Sequence, residues 1–228
     1  MKAVLLPGMD GTGEMFRPLT DKLPEKIEPI IISYPLDKVM DYEELVSYVI
    51  DRLPEEDFVL VAESFSGYIA YQIALKENKN LKKVIFVASF LDKPSKYWLA
   101  LASFVPLKWL LKISVPDWIC KKILFGIKVD KSLISMFNET IKMIKPEVLI
   151  SRINLMKQLK KADIKSSIPV VYIKASKDRL IRKESVKDFE RVFEKLDVEK
   201  VEGGHLITQV NPSDCAKIIA KSIHGLTY

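Results

Sequence analysis

The sequence predicts an α/β fold, with a mainly parallel six-stranded sheet, helices on both of its faces and a helical insertion after the fourth strand. Short apolar runs alternate with longer helix-like segments along most of the 228 residues, the order typical of parallel sheets. The runs are rich in β-branched residues and mostly unalternating, as expected for strands that are covered on both faces. One long stretch, residues 91–165, contains no clear strand.

The individual elements follow from these runs. The predicted strands, in chain order, are Ala3–Leu6, Pro29–Tyr34, Phe58–Ala62, Val84–Ala88, Pro169–Lys174 and, with fewer apolar residues, Val198–Val201. The predicted helical segments lie near residues 14–23, 42–53, 65–78, 183–195 and 212–223. Asp41 and the pair Asn211-Pro212 are typical helix starts, because Asp, Asn and Pro all favour the first positions of a helix.

Residues 91–165 interrupt this alternation. They have the pattern of several amphipathic helices, separated by prolines at positions 94, 106, 116 and 146, because proline ends or kinks a helix. All three tryptophans lie in this stretch, together with a single glycine, Gly126. We therefore expect a core made of residues 1–90 and 166–228, with residues 91–165 inserted into it.

The composition excludes several classes of protein. With 48% hydrophobic residues the chain is long enough to bury a sizeable core, which argues against disorder. Two cysteines are too few for a disulfide framework or a cysteine zinc site. No run reaches the ~18 apolar residues of a membrane span, and the apolar run after Met1-Lys2 is too short for a signal peptide. We expect a cytoplasmic protein without a membrane span.

Positive charge is concentrated in the insertion. The whole chain has a net charge of +6, but residues 91–165 hold 15 Lys or Arg against 6 Asp or Glu, a net of +9. Such a surface attracts an anionic substrate, a carrier protein or a membrane surface, although a plain solvated lysine face is the simpler alternative. No aromatic–basic pattern typical of nucleic-acid binding is present, so we expect no nucleic-acid partner.

The segment VLVAESFSGYIA, residues 59–70, places polar residues where a buried strand leads into a helix. A serine on a sharp strand-to-helix turn is presented above the sheet edge, and the strained turn requires small residues two positions before and two after it. Around Ser64 those positions hold Ala62 and Ser66, whereas around Ser66 one of them holds Tyr68. Ser64 is therefore the candidate nucleophile, and the alternative is an ordinary helix N-cap.

A serine nucleophile needs a base that takes its proton, and the sequence has two histidines. His205 follows Val201-Glu202-Gly203-Gly204 at the end of the last predicted strand, where α/β sheets bind ligands. His224 lies in the last turn of a predicted helix, where a cation beside the carbonyl ends is common. We therefore expect His205 to act as the base.

The base in turn needs an acid that holds its tautomer and stabilises its cation. Asp178 follows the predicted strand Pro169–Lys174 at its carboxyl end and is our candidate, although an aspartate between Lys177 and Arg179 is also typical of a plain turn. Asp92, which follows the preceding strand, is the competing candidate. With Asp178, the serine, the acid and the base occur in the chain order expected for a nucleophile-elbow hydrolase.

These residues resemble the α/β-hydrolase superfamily over nearly the whole chain. The similarity rests on four blocks: LPGMDGTG (6–13), AESFSG (62–67), ASKDRLI (175–181) and EGGH (202–205). It implies a catalytic triad of Ser64, Asp178 and His205 and makes residues 91–165 the cap. The chain begins at what would be the third strand of the family, so six strands replace eight. The first block has Pro7-Gly8 in place of the common His-Gly and is similar to plant esterase/lipase/thioesterase-like acyltransferases.

The resemblance also implies an oxyanion hole. Attack on a carbonyl creates an oxyanion that needs preorganised donors, and these would be the backbone N–H groups of Met9 and Phe65. Dinucleotide binding is the rival interpretation of the glycine-rich first loop, but the spacing is G-x-x-G-x-G and no acidic residue immediately follows the second strand. Asp10 and Glu63 are close to these blocks in sequence and could lie near the site, but no role is assigned to them, and solvated loop carboxylates are the default expectation.

The expected function is a serine esterase or thioesterase that acts on apolar, short-to-medium acyl chains through an acyl-enzyme. It would need neither a cofactor nor a metal, and its substrate would be a small ester or thioester, anionic or carrier-bound if the basic cap contributes. Cap aromatic residues are expected to line the pocket: Trp98, Phe104, Trp109 and Trp118. The alternatives are an acyltransferase or a lyase that uses the same triad, and a non-catalytic ligand-binding protein.

Overall fold

A computed structural model of the protein describes residues 1–94, 117–126 and 129–225. It confirms one sheet of six parallel strands in the order β2-β1-β3-β4-β5-β6. The strands are β1 (Lys2–Leu6), β2 (Glu28–Ile31), β3 (Phe58–Glu63), β4 (Leu81–Val87), β5 (Val170–Ala175) and β6 (Leu196–Val201). The first strand of the chain, β1, therefore lies inside the sheet, with β2 on one side of it and β3 to β6 on the other.

All six strands differ from their predicted bounds by one to three residues at one or both ends. The two largest differences, in β4 and β2, have physical reasons. β4 starts earlier than its apolar run because it includes Lys82 and Lys83. These two lysines reach out of the sheet, since Lys82 pairs with Asp57 at 3.0 Å and Lys83 donates to the Ser222 carbonyl at 2.9 Å. β2 ends before Tyr34 because the following residues leave the sheet and bond the loop after β1.

Helices cover both faces of the sheet and follow the predicted segments. They are a 3₁₀ turn (Glu14–Phe16), α1 (Arg17–Thr20), α2 (Tyr42–Ile50), α3 (Ser66–Ala74), α4 (Asp117–Ile119) with a π-helical continuation (Cys120–Phe125), α5 (Lys131–Lys142), α6 (Pro146–Gln158), α7 (Ser185–Val192), α8 (Ile207–Val210) and α9 (Pro212–His224). Asp41 caps α2 through a reciprocal capping box with Glu44, as its sequence position predicted.

The core has two layers because successive side chains of a strand point to opposite faces of the sheet. In β1, Val4 and Leu6 pack into one layer with residues of α2, α3, α6 and α7, whereas Ala3 and Leu5 pack into the other with residues of α1 and α9. All four side chains are fully buried. Burial on both faces explains the unalternating apolar runs in the sequence.

The described part of the insertion packs in two ways. Helix α6 contributes Val148, Leu149 and Ile153 to the same core layer as Val4 and Leu6. The π-helical segment and α5 form a separate small apolar cluster with Leu180 of the loop after β5; its members are Cys120, Leu124, Phe125, Ile134 and Leu180. Within the described ranges, no helix combines the length and apolar character needed to cross a membrane.

Candidate active site

Ser64 occupies the sharp turn between β3 and α3. Its φ of 50° lies in the left-handed region that non-glycine residues seldom adopt. The turn is fixed from both sides, because the Ser64 N–H donates to the Val87 carbonyl at 2.9 Å and its carbonyl accepts from the Gly67 N–H at 3.0 Å. A Cβ on Gly67 would lie 2.7 Å from the Cβ of Ser89. The small residues after the serine therefore have a steric cause.

The neighbouring Ser66 is buried and has a different place in the structure. Its hydroxyl donates to the Pro7 carbonyl and also forms a hydrogen bond with the Tyr34 hydroxyl. It thus joins the start of α3 to the loop after β1. Ser64 alone of the two serines presents its hydroxyl to a histidine.

The structure brings together the three residues proposed from the sequence. The Ser64 Oγ lies 2.7 Å from His205 Nε2, and His205 Nδ1 lies 2.9 Å from Asp178 Oδ2. Ser64 is half-buried and His205 is buried. The second oxygen of Asp178 accepts the N–H groups of Leu180 at 2.8 Å and Ile181 at 3.0 Å. These two hydrogen bonds fix the orientation of the carboxylate that faces the imidazole.

The electrostatics of this chain favour charge separation between the acid and the histidine. Burial on its own would raise the pKa of Asp178, but His205 and the two backbone N–H donors outweigh it and hold the pKa below its ordinary value. Burial on its own would lower the pKa of His205, but the charge and hydrogen bond of Asp178, with a smaller contribution from Glu63, raise it. A raised pKa makes the imidazole a stronger proton acceptor.

Backbone contacts hold the acid and histidine loops together. The Lys177 N–H donates to the Gly203 carbonyl at 2.8 Å, and the Gly203 N–H donates to the Ser176 hydroxyl at 3.2 Å. The histidine loop is also tied to the insertion, since Gly204 N–H donates to the Phe125 carbonyl at 2.7 Å and Leu206 N–H donates to the Leu124 carbonyl at 3.1 Å. The last two bonds lie on either side of His205.

The loop of residues 7–13 lies beside the serine. A Cβ built on Gly8 would be only 3.8 Å from the Cβ of Ser64. Phe65 follows Ser64 directly, at the start of α3. Among the described residues, the N–H groups of Met9 and Phe65 have no hydrogen-bond acceptor. Two unengaged backbone donors therefore accompany the serine.

A serine on a sharp turn after β3, an aspartate after β5 and a histidine after β6 match the arrangement of an α/β-hydrolase. The family model described as serine aminopeptidase, S33, matches residues 35–202, well over half of the chain. The chain belongs to this family, within the α/β-hydrolase superfamily.

Solved structures of other hydrolases share the fold across nearly the whole chain. A lipase-esterase related protein from Clostridium acetobutylicum has a TM-score of 0.75 at 21% identity, with 96% of this chain and 93% of that one covered. An esterase from Exiguobacterium antarcticum has a TM-score of 0.78 at 15% identity, with 98% and 92% covered. The type II thioesterase BorB of the borrelidin cluster gives 0.67 at 14%, with 96% and 91% covered. No curated protein matches significantly by sequence.

In this α/β-hydrolase the competing acid and histidine lie elsewhere. Asp92 accepts a hydrogen bond from Arg182 at 3.2 Å, and Arg182 also pairs with Asp188 on α7. Asp92 therefore belongs to this network of ion pairs. His224 is the exposed last residue of α9. Neither residue is placed as Asp178 and His205 are.

The expectation of a solvated Glu63 is wrong. The carboxylate is 2% exposed and accepts hydrogen bonds from Thr208 at 2.8 Å and Gln209 at 3.3 Å, both on α8. Burial raises its pKa to about 7, against the opposing contributions of its hydrogen bonds. Asp10 is half-buried, and its carboxylate accepts the N–H and hydroxyl of Thr12, so it stabilises the loop after β1.

The aromatic residues predicted to line the pocket are only partly within the described residues. Trp98, Phe104 and Trp109 lie outside them. Trp118 lies on α4 and is 64% exposed. Its role in substrate binding stays a prediction.

The two cysteines of this α/β-hydrolase lie inside the protein. Both cysteine thiols are buried, and burial raises the pKa of Cys120 to about 11 and that of Cys215 to about 12. Such thiols are poor nucleophiles at neutral pH. Within the described part of the chain, no group of three His, Cys, Asp or Glu could hold a metal ion.

Proposed function

We propose that this α/β-hydrolase cleaves carboxylic esters or thioesters through an acyl-enzyme, with Ser64, His205 and Asp178 as its catalytic triad. The observation that supports this most directly is the unbroken chain of contacts from Ser64 Oγ through the imidazole to Asp178. Nucleophile, base and orienting acid stand within hydrogen-bonding distance of one another, as covalent catalysis requires.

In the proposed reaction, Ser64 Oγ attacks the carbonyl carbon while His205 Nε2 takes the hydroxyl proton. The tetrahedral intermediate then collapses, the bond to the alcohol or thiol breaks, and His205 protonates the leaving group. Water attacks the acyl-enzyme in the same manner, with His205 again accepting and returning a proton, and the acid product leaves. Asp178 stays ionised and stabilises the imidazolium in both steps.

The oxyanion of each tetrahedral intermediate is proposed to bind the N–H groups of Met9 and Phe65. Both groups lack an acceptor among the described residues, and the Phe65 N–H lies at the start of α3, where a helix favours negative charge. Removal of one such donor costs on the order of 10²–10³ in kcat. The close approach of the loop of residues 7–13 to Ser64 supports this assignment.

The acyl group is proposed to be apolar and of short-to-medium length, bound under the cap of residues 91–165. The solved structures that share the fold include proteins named as esterases and a type II thioesterase, which supports esters and thioesters as the substrates to try first. The family description also names an aminopeptidase. A panel of matched esters, thioesters and aminoacyl anilides therefore decides the class of bond that is cleaved.

Labelling with a fluorophosphonate probe tests the proposal directly. We expect the wild-type protein to be labelled and to hydrolyse a short acyl ester, and Ser64→Ala to lose both properties, with turnover reduced by several orders of magnitude. Ser135→Ala is the matched control, because Ser135 is exposed on α5 and contacts Glu139. A folded Ser64→Ala protein that retains more than a few per cent of the wild-type turnover would exclude Ser64 as the nucleophile.

A further inference from the structure

Arg152, on α6, is a buried cation that contacts the loop beside the proposed nucleophile. It is 2% exposed and is the only arginine among the basic residues of 91–165. Its Nη1 donates to the carbonyls of Met9 and Asp10, both at 2.9 Å, and its Nη2 donates to the Pro35 carbonyl at 2.9 Å. A buried charge is tolerated only when it is well paired, and here the partners are backbone carbonyls.

The loop is shaped to accept this guanidinium. Gly11 has a φ of 72°, and a Cβ built on it would lie 2.4 Å from Arg152 Nη1. Glycine is therefore needed at this position both for the backbone conformation and for the close approach of the cation. The Arg152 guanidinium carbon also lies 5.6 Å from the centre of the Tyr34 ring, within the range of a cation–π contact.

Every carbonyl of residues 7–12 has a donor, so the loop is held along its whole length. The Pro7 carbonyl accepts from the Ser66 hydroxyl, and the Gly8 carbonyl accepts from the Gly11 N–H. Arg152 donates to the carbonyls of Met9 and Asp10. The Gly11 carbonyl accepts from the Tyr34 N–H, and the Thr12 carbonyl accepts from the Ser33 hydroxyl. A peptide unit is planar, so a fixed carbonyl also fixes the direction of the N–H in its plane. The Met9 N–H shares its plane with the Gly8 carbonyl and is thus fixed by the turn that Arg152 holds.

We propose that Arg152 is a positioning residue for ester cleavage: it locks the turn of residues 8–11 so that the Met9 N–H meets the oxyanion. This inference rests on the proposed function, since it assigns Arg152 a part in the same acyl transfer. The guanidinium acts through the loop and does not touch the substrate. Lysine cannot replace it fully, because one ammonium lacks the planar fork that spans carbonyls in two segments.

The effect of Arg152 on oxyanion binding can be separated from a purely structural effect. Thionoesters place sulfur where esters place the carbonyl oxygen, and sulfur accepts hydrogen bonds poorly. A misplaced Met9 N–H therefore slows an ester far more than the matching thionoester. General loosening of the fold slows both substrates equally, so the ratio of their kcat/KM values reports on the oxyanion donors alone.

We expect Arg152→Met to lower kcat for the ester on the order of 10²-fold, which is the effect of a misplacement of about 1 Å. KM should change little. The ratio of kcat/KM for the ester to kcat/KM for the thionoester should fall clearly. Arg152→Lys should give an intermediate ratio. Arg191→Met is the matched control. Arg191 lies on α7 and also donates to a backbone carbonyl, that of Ala162 at 2.9 Å, so this variant should leave the ratio unchanged. Circular dichroism and thermal melting establish that each variant is folded.

An unchanged ratio in a folded Arg152→Met protein overturns the proposal, whatever happens to its stability. If that variant does not fold, Arg152→Lys decides, and a wild-type ratio there overturns the proposal in the same way. Failure of the proposed function has a different signature, because the wild-type protein would then neither react with a fluorophosphonate nor turn over an ester. The two failures are therefore distinguishable in one set of assays.

Discussion

Glu63 and Ser64 are adjacent in sequence but have opposite environments. The serine hydroxyl faces His205, whereas the Glu63 carboxylate turns into the protein and is covered by Thr208 and Gln209. Asp10 and His205 are the charged groups that act on it, and they oppose one another, since Asp10 raises the Glu63 pKa and His205 lowers it. The residue before the proposed nucleophile is thus a carboxyl that titrates near neutral pH.

A raised carboxyl pKa has a definite consequence for stability. Folding favours the neutral form of Glu63. Its contribution to the free energy of unfolding is therefore fully present below the unfolded-state pKa, near 4.5, and is lost as the pH rises through the folded-state pKa of about 7. Glu63→Gln keeps the acceptor oxygen and removes the titration. We therefore expect the melting temperature of Glu63→Gln, measured relative to that of wild type, to be higher at pH 8 than at pH 5.

Thermal melts at pH 5, 6, 7 and 8 measure this effect. Glu25→Gln, at an exposed position before β2, is the control and should follow the wild-type curve. Parallel curves for Glu63→Gln and wild type across this range would show that Glu63 is ionised in the folded protein throughout.

Glu63→Gln should also shift the acidic limb of the profile of kcat/KM against pH to lower pH, because Glu63 contributes to the raised pKa of His205.

At the scale of single elements, the π-helical segment Cys120–Phe125 is attached to the histidine loop. Carbonyls of Leu124 and Phe125 accept N–H groups on either side of His205. A Cβ on Gly204 would lie 2.4 Å from the Phe125 carbonyl carbon and 2.5 Å from the Leu124 oxygen. These are backbone atoms, which cannot move aside as the end of a flexible side chain can.

Gly204→Ala should therefore displace the histidine loop and lower kcat on the order of 10²-fold. Gly225→Ala is the matched control, because a Cβ there meets only the Lys221 carbonyl oxygen, at 3.6 Å. Steady-state kinetics on a short acyl ester, with melting curves for both variants, check the expectation. Wild-type kcat in Gly204→Ala would mean that the contact with Cys120–Phe125 does not position His205.

Local pattern was enough to predict the strands, the six-stranded sheet and the position of Ser64. These features depend on apolar periodicity and on small residues close to the serine in sequence. The burial of Glu63 was not predictable in this way, because Thr208 lies 145 residues further along the chain. For Arg152 the sequence did contain a signal, a single arginine among lysines, but its partners lie more than 100 residues away.

At the scale of the whole molecule, charge is the feature whose role is open to a direct test. Residues 91–165 have a net charge of +9, whereas the remainder has 21 basic and 24 acidic residues. If the basic insertion attracts substrate, an ester with an acidic group remote from the scissile bond should have a higher kcat/KM than its neutral match at low salt. The gain should vanish at about 1 M salt, where the screening length is about 3 Å. Identical values for the pair at low salt would assign the lysines to a solvated surface.

If Ser64, Asp178 and His205 act as proposed, the strand order also determines when the chain becomes reactive. β1, β3 and β4 hold the serine turn and its neighbouring loop, but the acid and the base come after β5 and β6, at one edge of the sheet. His205 is 141 residues beyond Ser64. While the protein is being synthesised, the serine of an incomplete chain is an ordinary alcohol without a base. Long-range parallel pairing is slow, so under the proposed mechanism Ser64 would gain its base only when β6 has joined the sheet, and the half-folded chain would be protected from acylation.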